Sequence, residues 1–160
     1  MAIIMVIAAI IGFGFNNSDD DSSTAAAGDP LLKPTILANL GLVHLKRGRG
    51  DPADAAGCIA ACDEAVECLD SISPSSKVVS AEKRAQLRCK ALYRRARGRV
   101  AASTTSTGAG DNNNGTEDEG SATSSLNAAA RDLLDVLQID PGNTEAAALL
   151  MAVGLLQDAV

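Results

Sequence analysis

The sequence has few aromatic residues: Trp is absent, and Phe, Tyr and Trp together make up 2% of the 160 residues. Any core must therefore consist of Ala, Leu, Ile and Val, which suit closely packed helices better than a β-sandwich of β-branched and aromatic residues. The formal net charge is −6, and few rings are available to stack on bases, so the composition argues against nucleic acid as a partner. It favours an all-α protein.

Histidine and cysteine are also scarce. The single histidine, His44, lies in an apolar stripe, and we interpret it as a packed side chain rather than a metal ligand. Three of the four cysteines have helical spacing among apolar residues, which indicates buried free thiols in a reducing compartment rather than disulfides. No C-x-x-C pair or nearby His completes a tetrahedral zinc site, so we predict neither a metal nor a cofactor. The cysteines are Cys58, Cys62, Cys68 and Cys89.

The sequence also lacks the motifs that carry catalysis. It has no Cys/His pair, no paired-carboxylate site, no phosphate-binding loop and no G-x-G-x-x-G segment. We therefore predict that this chain is not an enzyme.

The chain opens with the apolar run "MAIIMVIAAIIGFGF". It is shorter than the about 20 residues that cross a bilayer, and no Lys or Arg precedes it as in a signal peptide. A signal or anchor segment, a short apolar helix and a spurious gene start all remain open for residues 1–17. Residues 18–30 read as an acidic, small-residue linker. We predict a cytoplasmic protein, with membrane association through residues 1–15 as the alternative.

Apolar residues at helical spacing predict one helical domain over residues 31–160. The predicted helices cover about 31–47, 53–69, 77–101, 126–139 and 144–160, with Thr144 as the N-cap of the last. Short connections predict antiparallel helix hairpins. Residues 101–125 are polar and of low complexity, so we predict a disordered insert there. The last helix is apolar on more than one side, which allows self-association through it.

A basic stretch, "KALYRRARGRV" at residues 90–100, stands out in this acidic chain. On charge alone it reads as a solvated helix face, in which Arg95, Arg97 and Arg99 offset the acidic residues 117–119. Lys90 and Arg94 are four residues apart and therefore share one helix face. Arg can hold a carboxylate through two hydrogen bonds, and Lys adds a compact charge.

Two pairs of segments share a pattern: "ANLGLVHLKRG" with "CIAACDEAVECLD", and "KALYRRARGRV" with "ARDLLDVLQIDPGN". Each pair is a helix with a small residue at its centre, Gly41 or Ala96, followed by a helix with small and large residues in alternation. This resembles the tetratricopeptide repeat, a helix hairpin of about 34 residues that stacks into a superhelix. The resemblance covers roughly residues 31–100 and 126–160 and implies a short superhelix of this type.

"NLGLVHLKRG" and "KALYRRA" resemble, more narrowly, the repeat domains of co-chaperones and large immunophilin peptidyl-prolyl isomerases. That resemblance implies a carboxylate clamp for the acidic C-terminal tail of a cytosolic heat-shock chaperone, with Asn39, Lys90 and Arg94 as peptide-binding residues. The family draws a further Lys and Asn from an earlier repeat that this sequence does not match, so the implied clamp is partial. The alternatives are a general repeat scaffold for another partner, or a C-terminal fragment of an immunophilin-type isomerase.

Overall fold

The computed structural model describes residues 29–47, 51–73, 79–106 and 119–158. These residues form five α-helices and no strand, which confirms the all-α prediction. The helices are α1 (Leu32–Arg47), α2 (Pro52–Ser71), α3 (Ala81–Ser106), α4 (Glu119–Ile139) and α5 (Thr144–Gln157). The predicted apolar segment 1–17 and nearly all of the linker 18–30 lie outside the described residues.

Consecutive helices run antiparallel, since the contacts between neighbours join earlier residues of one helix to later residues of the other. The contacting pairs are Lys33–Glu64 and His44–Asp54 for α1 and α2, Asp63–Arg95 and Asp70–Arg88 for α2 and α3, Arg95–Asp132 and Arg99–Ala128 for α3 and α4, and Asn127–Gln157 for α4 and α5. Helices α1, α3 and α5 therefore share one direction. Helix α1 also packs directly against α3.

The starts of α2 and α5 follow from local side-chain chemistry. Asp51 accepts a hydrogen bond from the Ala53 backbone N–H at 2.8 Å, and Pro52 occupies the first helical position, where its missing N–H costs nothing. At α5 the cap is Asn143, whose Oδ1 accepts from the Ala146 N–H at 3.0 Å. The prediction that Thr144 is the cap was wrong by one residue. The Pro-Gly turn leaves Asn143 just outside the helix, and Thr144 is the first helical residue.

The predicted insert at residues 101–125 is helical at both of its ends. Helix α3 continues to Ser106, and α4 begins at Glu119, seven residues before Leu126. Extending an existing helix costs far less free energy than nucleating one, and Ser103 and Ala122 are buried. The predicted insert is therefore helical at 101–106 and 119–125. Residues 107–118 lie outside the described residues.

The core is built from small and aliphatic side chains, as the scarcity of aromatic rings requires. Helices α1 and α3 approach α2 closely at two glycines. A Cβ on Gly41 would lie 2.5 Å from the Cys62 Sγ, and a Cβ on Gly98 would lie 3.2 Å from the Cys58 Sγ. These approaches set how closely α1 and α3 sit on either side of α2. The largest fully buried side chains include Leu69, Leu92, Leu133, Leu149, Val100, Val136 and Val153.

Candidate peptide-binding site

The arginines of the basic stretch do not form a solvated face. Arg94 and Arg97 are 5% and 8% exposed, and Arg95 and Arg99 are half-buried. The guanidinium carbon of Arg97 lies 5.9 Å from the centre of the Tyr93 ring, which fits a cation–π contact. The interpretation of Arg95, Arg97 and Arg99 as part of a solvated helix face was therefore wrong, and the acidic residues 117–118 lie outside the described residues.

Arg95 and Arg99 converge on one buried carboxylate, that of Asp132 on α4. Arg95 donates from Nε to Oδ2 at 3.0 Å and from Nη2 to Oδ1 at 2.5 Å, and Arg99 donates from Nη1 to Oδ2 at 2.6 Å. The Asp132 side chain is 4% exposed. Arg95 also donates from Nη1 to Asp63 on α2 at 2.6 Å. This ion network, made of Asp63, Arg95, Arg99 and Asp132, links three helices.

The network keeps Arg95 charged despite its burial. Loss of water would by itself lower the pKa of the Arg95 guanidinium. The hydrogen bonds and charges of Asp132 and Asp63 more than offset this and raise that pKa above its ordinary value. Two parallel hydrogen bonds from Arg to a carboxylate are among the strongest polar contacts in proteins. The ion network thus holds α2, α3 and α4 together through polar contacts.

Arg94 points to the other side of α3, toward α1. Its Nη1 donates to the Ala38 carbonyl at 2.8 Å and to the Asn39 Oδ1 at 3.2 Å. Burial lowers the pKa of the Arg94 guanidinium, and the nearby Cys62 and Cys58 raise it in part. The structure therefore brings together two of the three residues that the resemblance implicated.

The contact with Arg94 also fixes how Asn39 presents its amide. A guanidinium only donates hydrogen bonds, so the Asn39 oxygen must face it. The Nδ2 group, with its two hydrogens, then points away from Arg94 on an exposed side chain. Lys90 lies one turn before Arg94 on α3 and is half-buried. Asn39 is therefore the exposed donor of the three, and Arg94 is the buried cation behind it.

His44 and the cysteines have structural surroundings. The His44 Nδ1 lies 2.9 Å from the Asp54 Oδ1, and its ring covers Gly57, where a Cβ would come within 2.7 Å of Cε1. This agrees with its interpretation as a packed side chain. Cys58 and Cys62 are buried, and Cys58 donates to the Arg94 carbonyl at 3.4 Å. A hydrogen bond with Cys62 and burial both raise the pKa of the Cys58 thiol, which stays protonated.

The other cysteines and acids do not assemble into a metal site in the part of the chain that the structure describes. Within those residues no three His, Cys, Asp or Glu side chains come close enough together to hold an ion. Cys68 and Cys89 are free and half-buried. Burial raises the pKa of Cys89.

A groove of about 470 Å³ lies between the C-terminal ends of α2 and α4 and the start of α3. Leu69 and Ile139 contribute to its apolar lining, and Arg84 and Arg88 to its polar lining. Arg84 donates to the Ile72 carbonyl at 2.9 Å, and Arg88 is paired with an aspartate on α2. Both arginines are thus engaged within the fold, and the groove is distinct from the Asn39–Arg94 contact.

Sequence reasoning missed the ion network, although one signal for it was present. Asp132 falls in the apolar register of α4, between Ala129, Leu133 and Val136, which are all buried. An acid in that register needs a buried cation, because an unpaired charge is too costly to bury. The basic stretch was the available source of that cation.

No protein-family model matches this chain, and searches of curated proteins and of solved structures find no match. Among the helices of the described residues, none combines the length and apolar character needed to span a bilayer.

Proposed function

We propose that this protein is a helical-repeat adaptor of the co-chaperone type, which binds acidic C-terminal peptides through Asn39, Lys90 and Arg94. The observation that carries the proposal is the hydrogen bond between Arg94 on α3 and Asn39 on α1. It joins side chains that are 55 residues apart. Both belong to helices that share one direction and pack against each other.

A peptide carboxylate would meet these residues in complementary roles. The Asn39 Nδ2 group donates hydrogen bonds without adding charge, and the Lys90 ammonium donates with charge. Arg94 holds the Asn39 amide in the donating orientation and adds a positive charge behind it. Carboxylates bind best where charged donors are held in place before binding.

The packing of the helices supports the repeat assignment. Two successive antiparallel hairpins, α1–α2 and α3–α4, stack so that α1 lies against α3 and α2 lies against α3. Tetratricopeptide repeats stack in this manner, with the first helices of successive hairpins side by side. The proposed function needs no cofactor, no metal and no nucleic acid. Because the proposed partner is a cytosolic heat-shock chaperone, the proposed location of this protein is the cytoplasm.

We expect the affinity to be weak. Charge-assisted hydrogen bonds contribute about 1.5–3 kcal/mol each where they are shielded from water. Without the further Lys and Asn of the family's clamp, the dissociation constant should be about tens of micromolar or weaker.

The experiment is fluorescence anisotropy with a labelled peptide ending in Glu-Glu-Val-Asp, as the free acid and as the C-terminal amide. We expect the free acid to bind and the amide to bind at least about tenfold more weakly, because the amide has no terminal charge. Lys90→Ala and Asn39→Ala should each weaken free-acid binding. The matched control is Lys83→Ala, which removes an exposed lysine from the same helix and should bind as the wild type does.

Two results would overturn the proposal. Equal binding of acid and amide would identify a general peptide scaffold that does not read a terminal carboxylate. No binding of either peptide at millimolar protein would remove acidic C-terminal tails as ligands.

A further inference from the structure

Helix α1 carries an apolar stripe that no described residue covers. Leu32, Ile36, Leu40 and Val43 are between 41% and 58% exposed. Their spacing places them along one side of the helix. Arg47 follows Val43 by one turn and is also exposed, so the stripe ends on a cation.

Helix α5, at the other end of the helix array, carries a second exposed stripe. Ala148, Met151 and Leu155 are three and four residues apart and so share one side of the helix, and Met151 and Leu155 are 74% and 59% exposed. Asp158 continues the stripe by one turn and is exposed. The α5 stripe therefore ends on an anion.

The two stripes match in direction, and the α5 stripe matches the C-terminal part of the α1 stripe in length. From Ile36 to Arg47 and from Ala148 to Asp158 they extend about 15–17 Å along their helices, and Leu32 extends the α1 stripe by one further turn. Each runs from apolar residues to a charge at the C-terminal end of its helix. Within one chain α1 and α3 share one direction and pack together. A neighbouring α1 laid on α5 would repeat that relationship.

We propose that a second copy of this chain docks head to tail, with the α1 stripe of one copy against the α5 stripe of the next. In this arrangement Arg47 meets Asp158 of the neighbouring copy, and the apolar residues of both stripes leave water together. The proposal does not rest on the proposed peptide binding, although Asn39 lies three residues after Ile36 and so borders the α1 stripe.

Charge favours this pairing over contacts between identical stripes. Helix α1 contains Lys33, Lys46 and Arg47 and no Asp or Glu. Lys33 is already paired with Glu64 at 2.8 Å, so the cations that remain for a partner lie at the Arg47 end. Two α1 stripes would bring cations together, and two parallel α5 stripes would bring Asp158 beside its own copy. Only the α1-to-α5 contact places opposite charges together.

A head-to-tail contact uses two different surfaces, so it does not close at two copies. We expect open chains whose average length grows with concentration. Each contact is small, so the association is weak and needs high protein concentration to be seen.

The test is sedimentation velocity of the full chain from micromolar to millimolar concentration. The weight-average mass should rise past that of a dimer. Ile36→Glu and Met151→Glu each place a charge on one stripe, and each variant alone should stay monomeric. Mixed in equal amounts they should form a dimer and nothing larger, because one intact α1 stripe and one intact α5 stripe remain. Gln86→Glu adds the same charge at an exposed position on α3 and should associate as the wild type does.

A charge exchange tests the direction of the two helices. Arg47→Glu should weaken association about two- to fivefold, and adding Asp158→Lys to the same chain should restore it. Circular dichroism melts of each variant establish that the fold is intact. A monomeric wild type at every concentration would overturn the proposal. So would loss of association in Ile36→Glu but not in Met151→Glu, since that result means α1 pairs with itself.

Discussion

Arg94 on α3 donates a hydrogen bond to the side-chain oxygen of Asn39 on α1 at 3.2 Å, and a second, from the same nitrogen, to the Ala38 carbonyl at 2.8 Å. This single guanidinium nitrogen joins two parallel helices and orients the amide that we assign to peptide binding. The basic stretch of the sequence is therefore used mainly inside the molecule. Its cations hold helices together on two sides of α3, through Arg94 on one and through the ion network on the other.

Arg94→Lys keeps the charge and loses the planar guanidinium. A lysine ammonium cannot reproduce that geometry, so the Ala38 carbonyl and the Asn39 oxygen would lose at least one buried donor. We expect the free energy of unfolding to fall by about 1–3 kcal/mol in urea denaturation. Arg47→Lys is the matched control at an exposed site and should change stability by less than about 0.5 kcal/mol. Equal stability of the two variants would show that Arg94 contributes charge alone.

Asp132→Asn removes the carboxylate on which Arg95 and Arg99 converge. The amide keeps the shape of the side chain but leaves two partly buried guanidinium groups with Asp63 as the remaining counter-charge among the described residues. Breaking a buried ion pair typically costs about 3–5 kcal/mol, and we expect a loss in that range or slightly below it. Urea denaturation with far-ultraviolet circular dichroism measures the loss.

The control for the ion network is Asp135→Asn, which removes an exposed acid from the same helix. It should change the free energy of unfolding by about 0.5 kcal/mol or less. If both asparagine variants lose the same small amount, the network does not fasten α4 to α3 and our account of the basic stretch fails.

The raised pKa of Tyr93 predicts that the folded protein loses stability at alkaline pH. Burial raises the pKa of Tyr93 to about 12, with Arg97 opposing this rise and Glu145 supporting it. An unfolded tyrosine loses its proton near pH 10, so the unfolded state is deprotonated first as the pH rises. The stabilisation is complete below about pH 10 and disappears by about pH 12, a loss of up to about 3 kcal/mol.

The measurement is specific because Tyr93 is the single tyrosine and the chain has no Trp. A spectrophotometric titration of the folded protein therefore reports the tyrosinate of this residue alone. Tyr93→Phe should remove its share of the fall in stability between pH 10 and 12. A midpoint near pH 10 in the folded protein would mean that Tyr93 is open to water.

The helices of this chain could be predicted from the sequence because their apolar residues recur at helical spacing. Their ends were harder to predict, since the ends depend on side-chain capping and on packing. Ser103 and Ala122 are small or polar residues within the segment that the sequence predicts as an insert. Their inclusion in α3 and α4 depends on burial against neighbouring helices. Thr144 and Asn143 are both good caps, and the backbone of the preceding turn selects Asn143.

The candidate site was likewise predictable in part from local spacing and in part not, because the rest depends on packing. Spacing alone places Lys90 and Arg94 on one face of α3, and the family resemblance relates Asn39 to them. The depth of Arg94 depends on how closely α1, α2 and α3 approach at Gly41 and Gly98, which no local pattern encodes. Arg95 binds Asp132, which lies 37 residues away on α4. The position of Asp132 among apolar residues indicated that its carboxylate needed a buried cation, but it did not indicate which cation.

The central claim is that Asn39, held by Arg94, donates its amide to a terminal carboxylate. The most direct measurement follows the side-chain amide signals of Asn39 by NMR during titration with the Glu-Glu-Val-Asp peptide. Our account predicts that these signals shift with the free acid in proportion to binding and move far less with the C-terminal amide. If the free acid binds while the Asn39 signals stay in place, the carboxylate is held elsewhere and the proposed site is wrong.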